Sequence, residues 1–581
     1  MPHAASPELS ASAPSGLDTP DAVLDETLAE LRAHAEEFAA LGAGPRAALL
    51  RACLPRLQGV ARSWVEAGCA AKGLRIDAPE ASDEWYGGPY FVARNIRLLA
   101  RSLDQIAQNG KPALSPRRFG RSQDGRTTVR VFPTDMFDAA LFIGFSCHVR
   151  MLEGLDEAAA RERQAGFYGR SEPEERVALV LGAGNVSSIP AMDVLTKMFI
   201  EGAVCLLKLN PVNEYIGPFL AEALGPLCEA GFLRMVTGGA ETSSRLVHHE
   251  EVDEVHLTGS DRTHDLIVWG PPGAERNRRM AQNDPVLKKP ITSELGTVTP
   301  LIVVPGMYSD RQLSFVAENV ATAVVNNASF NCNSVKMLVT SKEWPQREGF
   351  LDKIRSVLAR FPPRKAYYPG AAERFESLVG GRPGQVPEDG AGEGTLPWAT
   401  AFGLDEHAHD ERLFDTEPFC SILSETALDA VSPADFLRAS IDFCNDRLWG
   451  TLSANIVIHP RQGRDPVVAA ALNDAIAELR YGAISINHWS ALVFAIGSAP
   501  WGGHPSSTPT DIQGGLGWVH NTYMLDGVEK AVLRGPLVVF PKPPWFVTHR
   551  RAHRVAERLT DFEVAPSLRK LPAIALEAAR G

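Results

Sequence analysis

The stretch "RVALVLGAGNVSSIPAMDVLTKMFIEGAVCLLKLN", residues 176–210, decides the fold class of this chain. An apolar run ends in a glycine turn, a segment with apolar residues every three to four positions follows, and a second apolar run closes the unit. This pattern predicts a strand, a turn, a helix and a second strand. Similar helix and strand patterns continue through residue 259. Because buried strands alternating with single helices are typical of a parallel sheet covered on both faces, we predict a doubly wound nucleotide-binding domain over residues 170–290.

Changes in periodicity and composition set the other predicted boundaries. Helical spacing dominates before the sheet, and two strands around a turn with Pro133 and Asp135 predict a protruding hairpin. Val379–Pro397 is rich in Gly and Pro and is predicted to be a surface loop. The remaining predicted segments are a disordered tail at 1–20, an N-terminal helical part of the cofactor domain at 21–126, the hairpin at 127–152, a second α/β domain at 291–500, and a C-terminal return and extension at 501–581.

Composition excludes several classes of protein. The 581 residues are 45% apolar and 22% charged, which is ordinary for a soluble globular protein. With 58 basic against 70 acidic residues and no dense basic stripe, nucleic-acid binding is not expected. The apolar runs are shorter than the roughly 20 residues that cross a bilayer, and the first residues lack the features of a secretory signal. Eight scattered cysteines without CxxC pairs favour a reduced, cytoplasmic location.

The glycine turn "LGAGNVSSIP" is a weak functional signal when taken alone. Ser187 stands where a dinucleotide-binding GxGxxG fingerprint has its third glycine. A strand-to-helix turn that needs Gly182 and Gly184 only for its geometry explains the motif equally well.

An ordered series of polar residues strengthens the functional interpretation. Cys332 differs from the other cysteines because it lies among small polar residues, in "NCNSVK", rather than in an apolar helix or strand. In chain order, the series consists of Asn185, Lys208, Gly259 and Ser260 in "HLTGS", Glu294 in "SELG", Cys332, and Glu417 and Phe419 in "EPF".

The series resembles that of the aldehyde dehydrogenase superfamily over about residues 170–520. The resemblance implies an α/β fold with a doubly wound parallel-sheet cofactor domain, an α/β catalytic domain and a small oligomerisation hairpin. It also implies that Cys332 is the nucleophile, Glu294 the general base and Asn185 part of the oxyanion hole. The implied set for binding NAD or NADP is Lys208, Gly238, Gly259, Ser260, Glu417 and Phe419.

These residue types suit aldehyde oxidation on chemical grounds. A thiolate at Cys332 can attack an aldehyde carbon, and the backbone N–H of Cys332 and the amide of Asn185 can donate to the resulting oxyanion. A nicotinamide accepts hydride, and a buried Glu294 can activate the water that hydrolyses the thioester. Each residue also has a structural alternative: an inert core thiol for Cys332, a surface carboxylate for Glu294, a solvated strand-end lysine for Lys208, and a turn cap for Glu417.

Two positions depart from the family pattern. Lys336 stands one position before the place where the family has an arginine, which indicates a different local turn. Pro211 stands where NAD-using members have a glutamate that holds the ribose, so the choice between NAD and NADP is open. No metal site is predicted, because "DEHAHD", residues 405–410, is interpreted as a solvated loop.

The predicted function is NAD(P)-dependent oxidation of an aldehyde to the carboxylic acid through a cysteine thiohemiacetal and thioester. Glu294 favours hydrolysis over the alternative, a CoA-dependent acyl-CoA reductase; a non-catalytic scaffold that keeps the fold is the third possibility. The expected partner is a small-molecule aldehyde, and bulky residues such as Trp489 and Phe494 hint that it is apolar. We expect a cytoplasmic homodimer or homotetramer bridged by the 127–152 hairpin and the C-terminal region.

Overall fold

The computed structural model of the protein describes residues 18–382, 386 and 392–581. Residues 1–17 of the predicted 1–20 tail, and residues 383–385 and 387–391 of the predicted surface loop, lie outside the described residues. The strands are β1 Phe119–Arg121, β2 Thr127–Phe132, β3 Ser146–Met151, β4 Val177–Leu181, β5 Val204–Lys208, β6 Leu233–Val236, β7 Glu254–Gly259, β8 Ile291–Leu295, β9 Pro300–Val303, β10 Met337–Ser341, β11 Arg364–Lys365, β12 Thr395–Leu396, β13 Ala399–Leu404, β14 Ile422–Leu428, β15 Ser453–Val457, β16 Ala483–Ile486, β17 Pro500–Trp501, β18 Gly515–Leu516, β19 Val519–His520 and β20 Val528–Arg534. The α-helices are α1 Asp21–Ala40, α2 Ala43–Ala71, α3 Ser82–Trp85, α4 Phe91–Asn109, α5 Met136–Leu141, α6 Glu157–Arg163, α7 Ile189–Phe199, α8 Gly217–Ala223, α9 Gly225–Glu229, α10 Ala240–His248, α11 Asp261–Trp269, α12 Ala274–Gln282, α13 Asp310–Val325, α14 Arg347–Leu358, α15 Ala371–Val379, α16 Arg412–Asp415, α17 Pro433–Asp446, α18 Pro466–Glu478, α19 Ala491–Ala495, α20 Ala552–Val564 and α21 Leu571–Ala578.

The first sheet has the strand order β18-β8-β7-β4-β5-β6, and β4 to β8 are all parallel. From β4 the chain first builds outward through β5 and β6, and then returns to add β7 and β8 on the other side. All residues of β4, β5 and α7 are buried, which matches their nearly continuous apolar sequences. The predicted doubly wound parallel sheet is therefore confirmed.

One predicted helix of this domain is divided in the structure. The segment from Ile216 to Gly231 forms α8 and α9, which meet at Leu224. Pro226 lies in the first turn of α9, where its missing N–H and fixed φ are tolerated. Inside one continuous helix, a proline would leave one backbone hydrogen bond unmade.

The second sheet has the order β1-β2-β3-β20-β16-β15-β9-β10-β14-β13. The strands from β20 to β13 are parallel, and β3, β2 and β1 extend the same sheet in antiparallel pairs. The 127–152 hairpin thus lies on the chain's own sheet, joined to it through β20. Its role in subunit contacts stays a prediction.

The connection within the hairpin contains a helix rather than the simple turn that the sequence predicts. Helix α5 begins after Asp135, whose carboxylate accepts hydrogen bonds from the backbone N–H groups of Phe137 and Asp138, both at 3.0 Å. Because an aspartate at this position satisfies N–H groups that have no partner within the helix, it favours a helical turn directly after Pro133 and Thr134.

Buried ion pairs tie the C-terminal extension to the N-terminal helices and the hairpin. Arg94 of α4 donates to Glu563 of α20 at 2.7 Å and lies 3.0 Å from Asp138 of α5. Arg97, also on α4, donates to the second carboxylate oxygen of Glu563 at 2.6 Å. The side chains of Arg94, Asp138 and Glu563 are no more than 3% exposed. The extension is therefore part of the folded core.

No helix in the described residues combines the length and the apolar character that a bilayer crossing requires.

We predict that Glu563→Ala lowers the free energy of unfolding by about 3 kcal/mol, because it leaves the buried guanidinium of Arg94 short of a partner. The matched control is Glu557→Ala on the same helix. Glu557 is 42% exposed and contacts Arg62 at 3.4 Å, so its removal should change stability by less than about 1 kcal/mol. Urea denaturation of both variants measures the difference. Equal destabilisation would contradict a structural role for the buried network.

Candidate active site

One edge of the first sheet gathers predicted site residues from several strands. In a parallel sheet the carboxyl ends of all strands meet at the same edge, where α/β proteins bind their ligands. Ser260 follows β7 and caps α11, accepting a hydrogen bond from the N–H of Thr263 at 3.2 Å. The other predicted residues at this edge are Asn185 after β4, Lys208 at the end of β5, Gly238 after β6, Gly259 at the end of β7 and Glu294 in β8.

The predicted nucleophile lies on a loop of the second sheet. The loop connects α13 to β10 and begins with three successive non-glycine residues of positive φ: Asn327 at 51°, Ala328 at 55° and Ser329 at 69°. Each such residue costs on the order of 1–3 kcal/mol and persists only where its surroundings hold it in place. Cys332 follows this turn and is partly buried. The backbone is thus bent to present one thiol.

The thiol of Cys332 contacts the carboxylate of Glu294. Sγ donates to Oε1 of Glu294 at 2.9 Å, which joins the nucleophile loop to the edge of the first sheet. Burial raises the pKa of Glu294 to about 7, although the hydrogen bond from the thiol acts in the opposite direction. Burial and the nearby Glu294 carboxylate raise the pKa of Cys332 well above its ordinary value. In this state the proton resides on sulfur, and Glu294 is placed to accept it.

Two hydrogen-bond donors flank the thiol. The side-chain nitrogen of Asn185 donates to the carbonyl of Phe330 at 2.9 Å. A primary amide has two N–H groups, so the second stays available. The backbone N–H of Cys332 has no hydrogen-bond partner among residues 18–382, 386 and 392–581. These two donors match what a developing oxyanion on the substrate needs.

A buried cluster that the sequence analysis missed holds Asn185 and the loop together. Lys72, which directly follows α2, donates to Glu84 at 2.7 Å, to the side-chain oxygen of Asn327 at 2.9 Å and to the carbonyl of Asn185 at 3.2 Å. The hydroxyl of Tyr367 donates to the same two oxygens of Asn327 and Asn185, at 2.9 and 3.1 Å. The sequence offers little signal for Lys72, because a lysine near the end of an amphipathic helix is usually on the surface.

Lys336, which departs from the family pattern, anchors the loop between α13 and β10 that carries Cys332. Its ammonium donates to the carbonyls of Ser329 and Asn331 at 3.2 and 3.0 Å. The side chain is fully buried, and burial lowers its pKa. The same ammonium lies 5.9 Å from the ring centre of Phe419, so the cation also contacts the predicted cofactor-binding segment.

The predicted ribose-binding lysine has a carboxylate nearby. Burial lowers the pKa of Lys208 to about 8, and the charge of Glu214 opposes that shift. Glu214 lies in the 3-10 turn Pro211–Ile216, and its carboxylate accepts a hydrogen bond from the backbone of Gly238. Its Oε1 is buried without a hydrogen-bond partner in the described chain. The family pattern has a carboxylate at the position of Pro211, one turn earlier, so the sequence alone gives no signal for Glu214.

Glu417 and Phe419 lie on the loop before β14, on the side of the second sheet that carries Cys332. The carboxylate of Glu417 lies so close to Gly296 that any side chain at that glycine would collide with it. Burial raises the pKa of Glu417 to about 7, against the opposing charges of Lys336 and Arg374. Its Oε1 also lacks a hydrogen-bond partner within the described residues. Like Glu214, Glu417 therefore keeps one buried carboxylate oxygen unpaired within the described residues.

The "DEHAHD" loop forms a surface cluster away from these residues. Glu406, His407 and Asp429 come close together and are mostly exposed. The ammonium of Lys342 lies 2.9 Å from both Glu406 and Asp429. The cluster is therefore an ion-pair group centred on a lysine.

Comparison with known proteins gives a family match and a shared fold. Residues 149–363 match the sequence model of the aldehyde dehydrogenase family. None of the curated protein sequences compared with the chain matches it. The chain is similar in structure to glyceraldehyde-3-phosphate dehydrogenase GapN from Methanocaldococcus jannaschii, solved in complex with NADP, at 15% identity and a TM-score of 0.59, covering 91% of this chain and 99% of that one. For an NAD-dependent aldehyde dehydrogenase from Sinorhizobium meliloti the values are 16% identity, a TM-score of 0.58, and 92% and 91% coverage. For aldehyde dehydrogenase 21 from Physcomitrella patens in complex with succinate they are 14%, 0.58, and 89% and 90%.

The chain has the aldehyde dehydrogenase fold, as the sequence analysis predicts. The family match over residues 149–363 and this fold agree with the predicted resemblance to the aldehyde dehydrogenase superfamily.

We predict that Glu294→Gln lowers the pH at which Cys332 becomes reactive, because the substitution removes the negative charge that raises the pKa of the thiol. Each unit by which the pKa falls increases the thiolate fraction about tenfold at a pH below it. Alkylation of the Cys332 peptide by iodoacetamide, followed by mass spectrometry across pH, measures the midpoint. Glu417→Gln is the control and should move the midpoint less, since Glu417 acts on the thiol more weakly. An unchanged midpoint in Glu294→Gln would show that this carboxylate does not raise the pKa of the thiol.

Proposed function

We propose that the protein oxidises an aldehyde to the carboxylic acid with NAD(P), using Cys332 as the nucleophile and Glu294 as the base. The observation that carries the proposal is the 2.9 Å hydrogen bond from a partly buried thiol to a carboxylate whose pKa is raised to about 7. A base with a pKa near the working pH can both accept and release a proton. The adjacent donors of Asn185 and Cys332 supply the positions that a carbonyl addition requires.

The steps follow from these positions. Glu294 accepts the thiol proton as Sγ bonds to the carbonyl carbon, and the oxyanion of the thiohemiacetal is met by Asn185 and by the N–H of Cys332. A bound NAD(P) supplies the acceptor for the hydride that leaves this carbon. Glu294 then releases its first proton to solvent and accepts one from a water as the oxygen of that water bonds to the thioester carbon; the C–S bond breaks, and sulfur regains a proton. The products are a carboxylic acid and the free cysteine.

Residues at the edge of the first sheet, together with Glu417 on the loop before β14 of the second sheet, fit a dinucleotide. Glu214 and Glu417 each keep a buried carboxylate oxygen without a hydrogen-bond partner in the described chain. Ribose hydroxyls are suitable donors for such oxygens, which would otherwise be buried at a cost. Lys208, beside Glu214, is the cation of this group. Gly238, Gly259 and Ser260 lie at the same edge and belong to the proposed binding set.

The carboxylate of Glu214 favours NAD over NADP. A 2′-phosphate on the adenosine ribose would lie near this negative charge, and repulsion is an effective way to reject a competing ligand. Lys208 attracts either cofactor, so the discrimination comes from Glu214.

Hydrolysis is favoured over transfer to coenzyme A because Glu294 contacts the nucleophile directly. An enzyme that must keep its thioester intact for coenzyme A gains nothing from a water-activating carboxylate at that atom. NAD(P)H formation that strictly requires coenzyme A would support the acyl-CoA reductase, and turnover unaffected by Cys332→Ala would remove the thiol from the mechanism.

We predict NADH formation from an aldehyde without coenzyme A, with kcat rising as the pH increases through about 7, because the base form of Glu294 becomes populated there. Glu294→Gln should reduce steady-state kcat by about 10²- to 10⁴-fold, the usual contribution of a general base. Spectrophotometric assays between pH 5 and 9 at about 0.15 M salt test both statements. A pH profile that is flat through neutrality would contradict the role of Glu294.

We predict that Glu214→Gln raises the ratio of kcat/KM for NADP to that for NAD by about tenfold, which corresponds to roughly 1.4 kcal/mol. Its physical reason is the lost repulsion between the carboxylate and a 2′-phosphate. The matched control is Glu222→Gln on α8, whose exposed carboxylate pairs with Arg56. A ratio that is the same in both variants would show that Glu214 does not discriminate between the cofactors.

A further inference from the structure

A cavity of about 130 Å³ is lined in part by Cys332. Another part of its lining, which we call the aromatic wall, consists of Phe142, Phe145 and Trp545 and comes from outside the two sheet edges. The hairpin contributes Phe142 and Phe145, which lie between α5 and β3. The segment after β20 contributes Trp545. Trp489 and Phe494, the bulky residues whose presence suggests an apolar substrate, also line the cavity. The hairpin and the C-terminal segment thus shape the space in front of the thiol.

The aromatic wall is a packed group of rings. The rings of Phe142 and Trp545 are stacked at 6.1 Å with an angle of 15° between their planes. Phe145 meets Trp545 edge-on at 6.2 Å, and it also contacts the ring of His488 at 4.6 Å. A flat aromatic guest can stack on such faces or meet their edges, and each such contact contributes about 0.5–1.5 kcal/mol beyond the burial of apolar area.

The cations that line the cavity are already paired. Lys72 donates to Glu84, to the carbonyl oxygen of Asn185 and to the side-chain oxygen of Asn327. Arg94 is bound to Glu563 and Asp138. A carboxylate or phosphate on the substrate would therefore lose water without meeting a free cation from the described lining residues, which is strongly unfavourable.

The volume limits the size of the guest. An apolar protein cavity of about 150 Å³ is large enough to hold benzene. At about 130 Å³, this cavity suits one six-membered ring and leaves little space for a second.

Two polar atoms on the wall add a further requirement. The hydroxyl of Tyr86 and the indole N–H of Trp545 are buried, and neither has a hydrogen-bond partner in the part of the chain that the structure describes. Both are donors toward an acceptor on the guest, and a buried donor left unpaired costs about 1–3 kcal/mol.

From the aromatic wall, the paired cations, the volume and the free donors, we propose that the substrates are aromatic aldehydes with a single ring that carries a hydrogen-bond acceptor, such as an ether or hydroxyl oxygen. This proposal rests on the proposed aldehyde oxidation and names its substrate class. Tyr86, Phe142 and Trp545 are the residues that determine this specificity.

The test is a panel of aldehydes assayed by NADH formation with the full-length protein. It contains benzaldehyde, its three methoxy isomers, cyclohexanecarbaldehyde, hexanal, succinic semialdehyde and 2-naphthaldehyde. We expect the best methoxy isomer to have the highest kcat/KM, and benzaldehyde to exceed succinic semialdehyde by at least about 100-fold, because the anion meets no free cation. A kcat/KM for succinic semialdehyde, hexanal or cyclohexanecarbaldehyde equal to that for benzaldehyde would overturn the proposed substrate class and leave the proposed aldehyde oxidation intact.

Variants locate the specificity in the named residues. In either Tyr86→Phe or Trp545→Phe, which each remove one N–H or O–H and keep an aromatic ring, the preference for the best methoxy isomer over benzaldehyde should fall by about 10-fold. Phe142→Ala should lower kcat/KM for benzaldehyde by about 10-fold and raise that for 2-naphthaldehyde relative to it. Ile143→Ala is the control, since Ile143 is adjacent in sequence but 77% exposed. Equal effects of Phe142→Ala and Ile143→Ala would overturn the role of the wall.

A binding measurement separates the two proposals. Benzyl alcohol has the same ring and no carbonyl, and its binding to the protein is measured by isothermal titration calorimetry. If it binds, Phe142→Ala weakens the binding and no aldehyde of the panel is oxidised, the proposed oxidation fails while the aromatic site stands. If benzyl alcohol does not bind and hexanal is oxidised best, the aromatic site fails while the oxidation stands.

Discussion

The geometry of the candidate site depends on the hydrogen bonds of the Asn327 side chain. Its nitrogen donates to the carbonyls of Asn185 and Phe330, and its oxygen accepts from Lys72 and Tyr367. One amide thereby joins the glycine turn of the first sheet, the nucleophile loop of the second, an N-terminal helix and a catalytic-domain tyrosine. The left-handed backbone at Asn327 is tolerated because these contacts hold it, and asparagine is among the residues that adopt this conformation most readily.

The edges of the two sheets face each other, and this arrangement both positions the site residues and buries their ionisable groups. Parallel strands bring polar residues to their carboxyl ends, so Asn185 and Glu294 need no long side chains to reach the same place. The thiol comes from the opposite side, on a loop tied down by the ammonium of Lys336. Because Glu294 lies in β8 and the loop of Cys332 is anchored by buried hydrogen bonds, the 2.9 Å contact between Sγ and Oε1 is set by the fold. Burial then does the chemical adjustment: it raises the pKa of both groups, which keeps the proton on sulfur until Glu294 accepts it.

The sequence predicts the elements whose hydrophobic residues follow a regular period. It does not predict the position of a residue that depends on the path of a single turn. The apolar runs and glycine turn of residues 176–210 are sufficient to predict β4, α7 and β5, because burial on both faces leaves few other patterns. Glu214 was missed because the 3-10 turn after Asn210 carries the carboxylate one turn beyond Pro211, and spacing rules assume a fixed backbone path. Lys72 could not be found, because nothing in a helical sequence shows which lysine will be buried by residues far along the chain.

The position of the hairpin connects sheet topology with substrate selection. Strand β3 is paired with β2 on one side and β20 on the other, so its backbone groups are already used within the chain. If the hairpin also contacts another subunit, the available surfaces are its faces, the three-residue strand β1 and the part of β2 that β1 leaves unpaired. Because β20 leads directly into the segment that carries Trp545, and α5 leads into Phe142, the strands that extend the sheet also fix the aromatic wall. A change in how the hairpin packs would therefore alter the shape of the cavity before it altered the distance between the thiol and its base.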